Sequence, residues 1–367
     1  MNQRALSCVA LAALVSACGG AAEPAVAPGP APVTTMAAPP APSVAAPVAT
    51  ASGPAALPPK PALVELQKRA LDQLLDAFNR HDAKGVAALY AETGAIESPA
   101  PEGWHAMRGR SAIEAEHAGL FAAFPDLKLA VTRVFASGHT VAYEWVTRGT
   151  NTGAFMGAPA TGKVVGFQAA SLLTFDDDGF ISLDHTYIDD VTIAVELGLA
   201  PGKTRPMPAM PSAPPVWTQA SASPEETALA ESARKNWPEL WSKKDTKGYE
   251  SAFTPNAIHR EIASPNDFSG KQALMAEYKL YATSVPDMHV EVDRLFTAGR
   301  FAVLEFTFAG TQKGPLGPLK ATGKPFTIHG LDIDAFDGAR YSEANTYSNA
   351  REFLTQLGAI PSAPPPH

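Results

Sequence analysis

The chain is predicted to fold as α+β, in two tandem domains of the same architecture, and three observations carry that prediction. Residues 150–163, beginning Thr-Asn-Thr-Gly and ending Ala-Thr-Gly-Lys, share their pattern with residues 311–324, which begin Thr-Gln-Lys-Gly and end in the same four residues, and each run follows a β-patterned stretch ending in Gly149 or Gly310. The landmarks around this hairpin recur in the same order: Phe124-Pro125-Asp126 with Val285-Pro286-Asp287, Arg133 to Gly138 with Arg294 to Gly299, and Thr186-Tyr187 with Thr346-Tyr347. Each copy then places its helix-spaced apolar residues first and its alternating strands after. Helices followed by an antiparallel meander make an α+β domain with the helices on one face of a sheet. A repeat unit this long is a duplicated domain, not a turn of a solenoid.

In the first copy, Leu63, Leu66, Ala70, Leu71, Leu74, Leu75 and Phe78 keep helical spacing,. A second short helix is expected over residues 83–91 and a third over 111–124, stopped by the Pro-Asp pair. Four strands follow over residues 127–135, 140–149, 163–175 and 180–189, the last two joined at the turn Asp176-Asp177-Asp178-Gly179,. The second copy opens with a helix from Glu225 through Trp237 and Trp241 to Lys244, in which Pro238 predicts a kink or break. Helices over residues 246–253 and 271–283 precede its own meander, with Asp337-Gly338 at the matching turn.

Before the first domain stand two segments of a different kind. Arg4, the apolar residues 5–15 and the small residues Ser16 and Ala17 read as a signal peptide,. Its apolar run is shorter than the roughly 20 residues needed to span a bilayer. Val15-Ser16-Ala17-Cys18 resembles a bacterial lipobox, which makes Cys18 the lipidated first residue of the mature chain. Cys8 is then removed, and no disulfide within one chain remains. Gly19 and Gly20, with no Asp after Cys18, resemble the sorting pattern for the outer membrane. Residues 18–61, almost wholly Ala, Pro, Val, Ser and Thr, form a tether with no apolar period to bury,. The expected organisation is therefore residues 1–17 signal peptide, 18–61 tether, 62–200 first domain, 201–223 Pro-rich linker, 224–361 second domain and 362–367 tail.

A net charge of −8 argues against nucleic acid or anionic lipid as a partner, leaving the lipid anchor as the expected membrane contact,. There is no P-loop or dinucleotide fingerprint, and the nine histidines show no metal-ligand spacing, so neither a cofactor nor a metal is expected,. Glu114, Glu116 and His117 read as a polar helix face.

The order of elements, the Gly-Thr-x-x-Gly…Thr-Gly-Lys hairpin, Phe-Pro-Asp ahead of it and the closing Gln-Leu-Gly-Ala-Ile-Pro (residues 356–361) resemble the SnoaL-like polyketide cyclase family of the nuclear transport factor 2-like superfamily. The resemblance implies two tandem cone-shaped domains, each a curved antiparallel sheet wrapped around N-terminal helices, with an open and mostly apolar pocket. It implies aldol-type cyclase, isomerase or dehydratase chemistry in some members and binding alone in others. It also implies sheet-to-sheet pairing, as an intramolecular pseudo-dimer or a homodimer. A family enzyme needs a carboxylate that moves a proton α to a carbonyl, with a His and a Gln on a strand of the sheet. Gln168 and His329 match that strand position; the hairpin position often held by His is Asn151 here and Gln312 in the second copy.

Strand parity supplies the remaining candidates. If Ile181 and Leu183 face the core, then His185, Tyr187 and Asp189 share that side and Asp184 turns outward. In the second copy His329 sits near Tyr347, on a face that Tyr347 shares with Glu343 and Asn345. Asp184, Asp189 and Glu343 are thus the candidate acids, with Gln168, His185 and His329 beside them. Trp104, Tyr187, Asn345 and Tyr347 are the candidate pocket residues. Glu144 and Glu305 read as outward charges on half-exposed strands. Two functions stay open: a binding module for a small apolar ligand with little or no catalysis, and a cofactor-independent ester cyclase or isomerase acting by proton transfer.

Overall fold

A computed structural model describes residues 62–361; the segments expected to be a signal peptide, a tether and a tail, Cys18 included, lie outside the described residues. Helix α1 (Leu63–Asn79) buries Leu71, Leu74, Ala77 and Phe78, the stripe its spacing requires,. Helix α2 (Ala83–Ala88) starts where the Asp82 carboxylate accepts from Gly85 N, and α6 (Thr246–Ala252) repeats this with Asp245 and Gly248,. A Cβ on Gly85 would lie 2.4 Å from the Asp82 carboxylate oxygen, so this cap needs glycine.

The first half continues with β1 (Tyr90–Ala100), β2 (Gly103–Arg108), α3 (Arg110–Ala123), β3 (Lys128–Ser137), β4 (Thr140–Thr150), β5 (Val164–Phe175), β6 (Ile181–Tyr187) and α4 (Asp190–Leu197). Strand β7 (Val216–Gln219) comes next, then α5 (Pro224–Ser242), and after α6 come β8 (Phe253–Glu261), β9 (Phe268–Ser269) and α7 (Gly270–Ser284). The chain closes with β10 (His289–Ala298), β11 (Phe301–Thr311), β12 (Pro325–Asp337), β13 (Arg340–Ser348) and α8 (Ala350–Gln356). Two sheets result, in the orders β2-β1-β6-β5-β4-β3-β7 and β10-β11-β12-β13-β8-β9. Each meander is antiparallel as expected, while β1 and β8 join β6 and β13 in parallel.

Several sequence expectations change. The β1–β2 hairpin was not legible because Gly94, Pro99 and Pro101 interrupt it, and prolines argue against a strand interior,. Part of the Pro-rich linker is structural, since β7 pairs in parallel with β3. Helix α5 runs unbroken through Pro238, its turns on either side of that residue anchored by buried Trp237, Leu240 and Trp241. Helices α4 and α8 are additions, each begun by a side chain that caps it, Asp189 and Asn349.

Three apolar layers hold the molecule. One lies inside each curved sheet, around Leu71, Ile113 and Leu173 in the first half and around Leu274, Tyr278 and Leu304 in the second. The third lies between the sheets and joins Phe135, Ala170, Leu172 and Tyr187 to Val303, Leu331, Ile333 and Tyr347. An antiparallel sheet often leaves one face to water. Here both faces are covered, and each fully buried Leu or Ile of the middle layer is worth roughly 1.5–3 kcal/mol.

Candidate functional site

The concave face of the first sheet and the helices over it enclose a cavity of about 640 Å³. Its walls are mostly apolar, from Leu74 and Phe78 of α1, Leu120 of α3, and Tyr143, Trp145 and Phe167 of the sheet. Asn349 and Arg351 reach the same wall from the second half.

One acid faces this cavity from the sheet. Asp184 is only 3% exposed, and each of its oxygens is held by a hydroxyl. Tyr90 OH donates to Oδ2 at 2.8 Å and Thr186 Oγ1 to Oδ1 at 2.7 Å. Behind Thr186, Ser171 Oγ lies at 2.9 Å and itself accepts from Trp145 Nε1 at 3.1 Å. An indole N–H only donates, so the chain runs one way: Trp145 to Ser171, Ser171 to Thr186, Thr186 to the carboxylate. Burial raises the Asp184 carboxyl above its usual range, and the hydroxyl bonds oppose this only in part,. Burial also pushes up the Tyr90 and Tyr143 phenols, so both stay as O–H donors. A carboxyl shifted upward in an apolar chamber is suited to take a proton and give it back.

The parity reading placed Asp184 outward and His185, Tyr187 and Asp189 inward; the structure reverses it. Strand β6 carries a bulge, with Phe175 opposite Ile181 but Thr174 opposite Leu183, so Ser182 is an extra residue. Past a bulge every side chain changes face. Ile181 therefore belongs to the inner core, Asp184 and Thr186 face the cavity, and His185 and Tyr187 point at the other half. Strand β13 has the same bulge at Ser342.

The remaining candidates gather between the two sheets. Glu305 is 4% exposed and accepts from Tyr187 OH at 2.6 Å and from Arg294 Nε at 2.6 Å, and His185 Nδ1 lies 2.6 Å from its Oε1 and 2.7 Å from Arg294 Nη2. Burial works against its charge, but the His185 and Arg294 bonds override it and hold the carboxyl at about 2. Glu144 is the counterpart: it is 1% exposed, pairs with Arg133, and accepts from Tyr347 OH at 2.7 Å and Asn345 Nδ2 at 3.2 Å. The expectation of half-exposed strand charges fails at both positions, because the opposite sheet covers them. Gln168 Nε2 donates to Tyr347 OH at 2.6 Å, His329 Nδ1 lies 2.7 Å from Glu352 Oε1, and Glu343 pairs with Arg133 and Arg260. Gln168 and His329 thus lie on the outer faces of the sheets and do not line the 640 Å³ cavity. Asp189 caps α4 and also accepts from Ala350 N, with burial raising its carboxyl to about 6. Trp104 serves both places: it lines the cavity and stacks on His185 at 4.2 Å. Asn151 and Gln312 brace their hairpins, each accepting from a threonine, Thr161 or Thr322.

The second cup is filled. Counted from the matching Asp-x-x-Gly turns, Trp237, Trp241 and Tyr249 stand where the first half has Leu74, Phe78 and Val86. Counted from the Pro-Asp pairs, Tyr278 stands at His117 and Tyr281 at Leu120. The larger rings stack on one another, Tyr249 on Tyr278 at 4.0 Å and Trp241 against Tyr278 at 5.2 Å. Ala344 occupies the place of Asp184, while Asp334 across the strand from it replaces Leu173. Asp334 is fully buried with neither carboxylate oxygen bonded, and burial pushes its carboxyl well upward. Beside it Asp332 accepts from Thr346, and burial raises its carboxyl to about 7. His259 lies between Glu277 at 2.8 Å and Thr346 at 3.1 Å; burial disfavours its charge, yet Glu277 lifts it to about 9.

Tyr90, Ser171 and Thr186 were absent from the sequence-derived candidates. The Thr-Tyr repeat at residues 186–187 and 346–347 and the turn at Asp176–Gly179 signalled the strand of Thr186, but not the role of these side chains. Among the described residues, no group of three or more His, Cys, Asp or Glu is arranged to hold a metal ion.

No curated protein matches the chain. Among solved structures it is similar to IdmH of Streptomyces antibioticus, described as a putative polyketide cyclase, at 28% identity over 36% of this chain and 98% of that one, with a TM-score of 0.32. It is also similar to AclR of Streptomyces galilaeus, described as a putative hydroxylase (26% identity, 38% of this chain, 100% of that one, TM-score 0.34). A third is TsrD of Streptomyces laurentii (22% identity, 36% and 97%, TM-score 0.33). Residues 68–197 and 231–357 each match the SnoaL-like polyketide cyclase model, and the chain belongs to that family through both of its domains.

Proposed function

We propose that the first half is an acid–base chamber for a small, mostly apolar carbonyl compound, and that the second half is its structural partner. The observation that carries this reading is Asp184, buried in a cavity of about 640 Å³ with its carboxyl shifted upward. In the reaction Asp184 takes a proton from the carbon α to the carbonyl, leaving an enolate, and returns it to that carbon or to a new alkoxide. Thr186 and Tyr90 hold both carboxylate oxygens in place as the charge comes and goes,. The second half contributes Asn349 and Arg351 to the chamber wall and covers the outer face of the sheet, so the two halves act as an intramolecular pseudo-dimer. The chain works tethered to the outer membrane through a lipid on Cys18, and Cys18→Ser should move it from the membrane to the soluble fraction of the host.

A second reading, binding without catalysis, is favoured by one feature: both Asp184 oxygens already have protein partners. The apolar ketone 2-tetralone in deuterated water separates the two. Exchange of its α-hydrogens that is accelerated by the wild type and abolished in Asp184→Asn, with binding kept, supports the acid–base reading. Binding without accelerated exchange supports the second.

A further inference from the structure

Helix α3 brings a histidine to the cavity that neither reading uses. His117 lines the chamber from the helical wall, whereas Asp184 faces it from the sheet. Its Nδ1 lies 2.8 Å from the Ile113 carbonyl oxygen. A carbonyl can only accept, so Nδ1 carries the hydrogen, and in the neutral ring Nε2 is left as an acceptor. Burial lowers the pKa of this imidazole, which favours the neutral ring at physiological pH. Among the described residues Nε2 has no hydrogen-bond partner. The ring is also held in orientation, with Phe78 edge-on at 6.1 Å and Phe121 at 6.0 Å.

The duplication shows what this position does when no ligand space is kept. Its counterpart Tyr278 is fully buried, stacks on Tyr249, and spends its hydroxyl on the Leu240 carbonyl at 2.7 Å. The same helix position thus closes one cup with a self-satisfied side chain and lines the other with an open acceptor. Glu116, next to it, borders the same cavity and is the nearest charge on that wall.

We propose that His117 Nε2 accepts a hydrogen bond from a hydroxyl of the bound molecule, so that the chamber selects hydroxylated apolar compounds, phenols or enols, over their O-alkylated or unsubstituted analogues. This rests on the reading of the first cup as a ligand chamber. It adds a specificity contact on the wall facing the sheet that bears Asp184.

The test uses the full-length protein and two probes, 2-naphthol and 2-methoxynaphthalene, which differ in the donor. A single net hydrogen bond predicts that wild type prefers 2-naphthol by about three- to tenfold. His117→Leu should lose that preference, and Asp184→Asn should keep it. As a readout independent of any variant, the ¹⁵N resonance of the unprotonated His117 Nε2 should move on saturation with 2-naphthol and stay put with 2-methoxynaphthalene. Equal affinities for the two probes, a preference that survives His117→Leu, or an unmoved Nε2 resonance would each overturn the proposal while leaving the chamber intact. Binding of neither probe would overturn the chamber and this contact together.

Discussion

Glu305→Gln tests whether the polar contacts between the halves hold them together. The substitution keeps the shape of the side chain and removes its charge. Glu305 is 4% exposed and gathers Arg294, His185 and Tyr187, two of them from the opposite half. A carboxyl held at about 2 instead of 4.5 is stabilised in its charged form by about 3 kcal/mol at neutral pH. Breaking one side of a buried pair costs about 3–5 kcal/mol. Arg294 is 31% exposed and keeps some hydration, so we expect the lower end, about 3 kcal/mol at pH 7. The folded-state pKa lies below the unfolded one, so this contribution is complete above about pH 4.5 and is lost as pH falls through about 2,. Urea unfolding of wild type and variant from pH 7 to pH 2 measures both quantities, and the two curves should converge at the acid end. A cost under about 1 kcal/mol at pH 7, or a gap that persists unchanged at pH 2, would refute the reasoning.

Two further outcomes are expected. Asp334→Leu restores the residue that the first half carries at Leu173 and removes two unbonded buried oxygens, so it should stabilise the protein by about 1–3 kcal/mol in urea unfolding at pH 7,. Its folded-state pKa is raised, so in wild type its contribution is intact below about pH 3.8 and lost as pH rises, and the gain from leucine should shrink towards low pH,. Tyr90→Phe removes one donor that favours ionised Asp184, and the rising limb of the 2-tetralone exchange profile should move to higher pH; an unchanged or lowered limb counts against Asp184 as the base.

Much of the fold was legible without coordinates. The duplicated hairpin, the Pro-Asp stops and the period of α1 located the paired domains and the antiparallel meanders, because those signals are local and were written twice. The β1–β2 hairpin was hidden by its own prolines, and β7 by a Pro-rich linker. The acid itself was among the candidates, but its face was misassigned. Alternation is a reliable guide only while the ladder is regular, and one extra residue at Ser182 reverses it,.

The sequence by itself determined the α+β class, the duplication and the strand that carries Asp184. Only the tertiary structure decided which polar residues face a cavity and which face the other half. It also decided that one cup is hollow while aromatic rings fill the other. The reason is physical: face, burial and free volume arise from the bulges and from packing between segments far apart in the chain, and no local window of residues encodes them,.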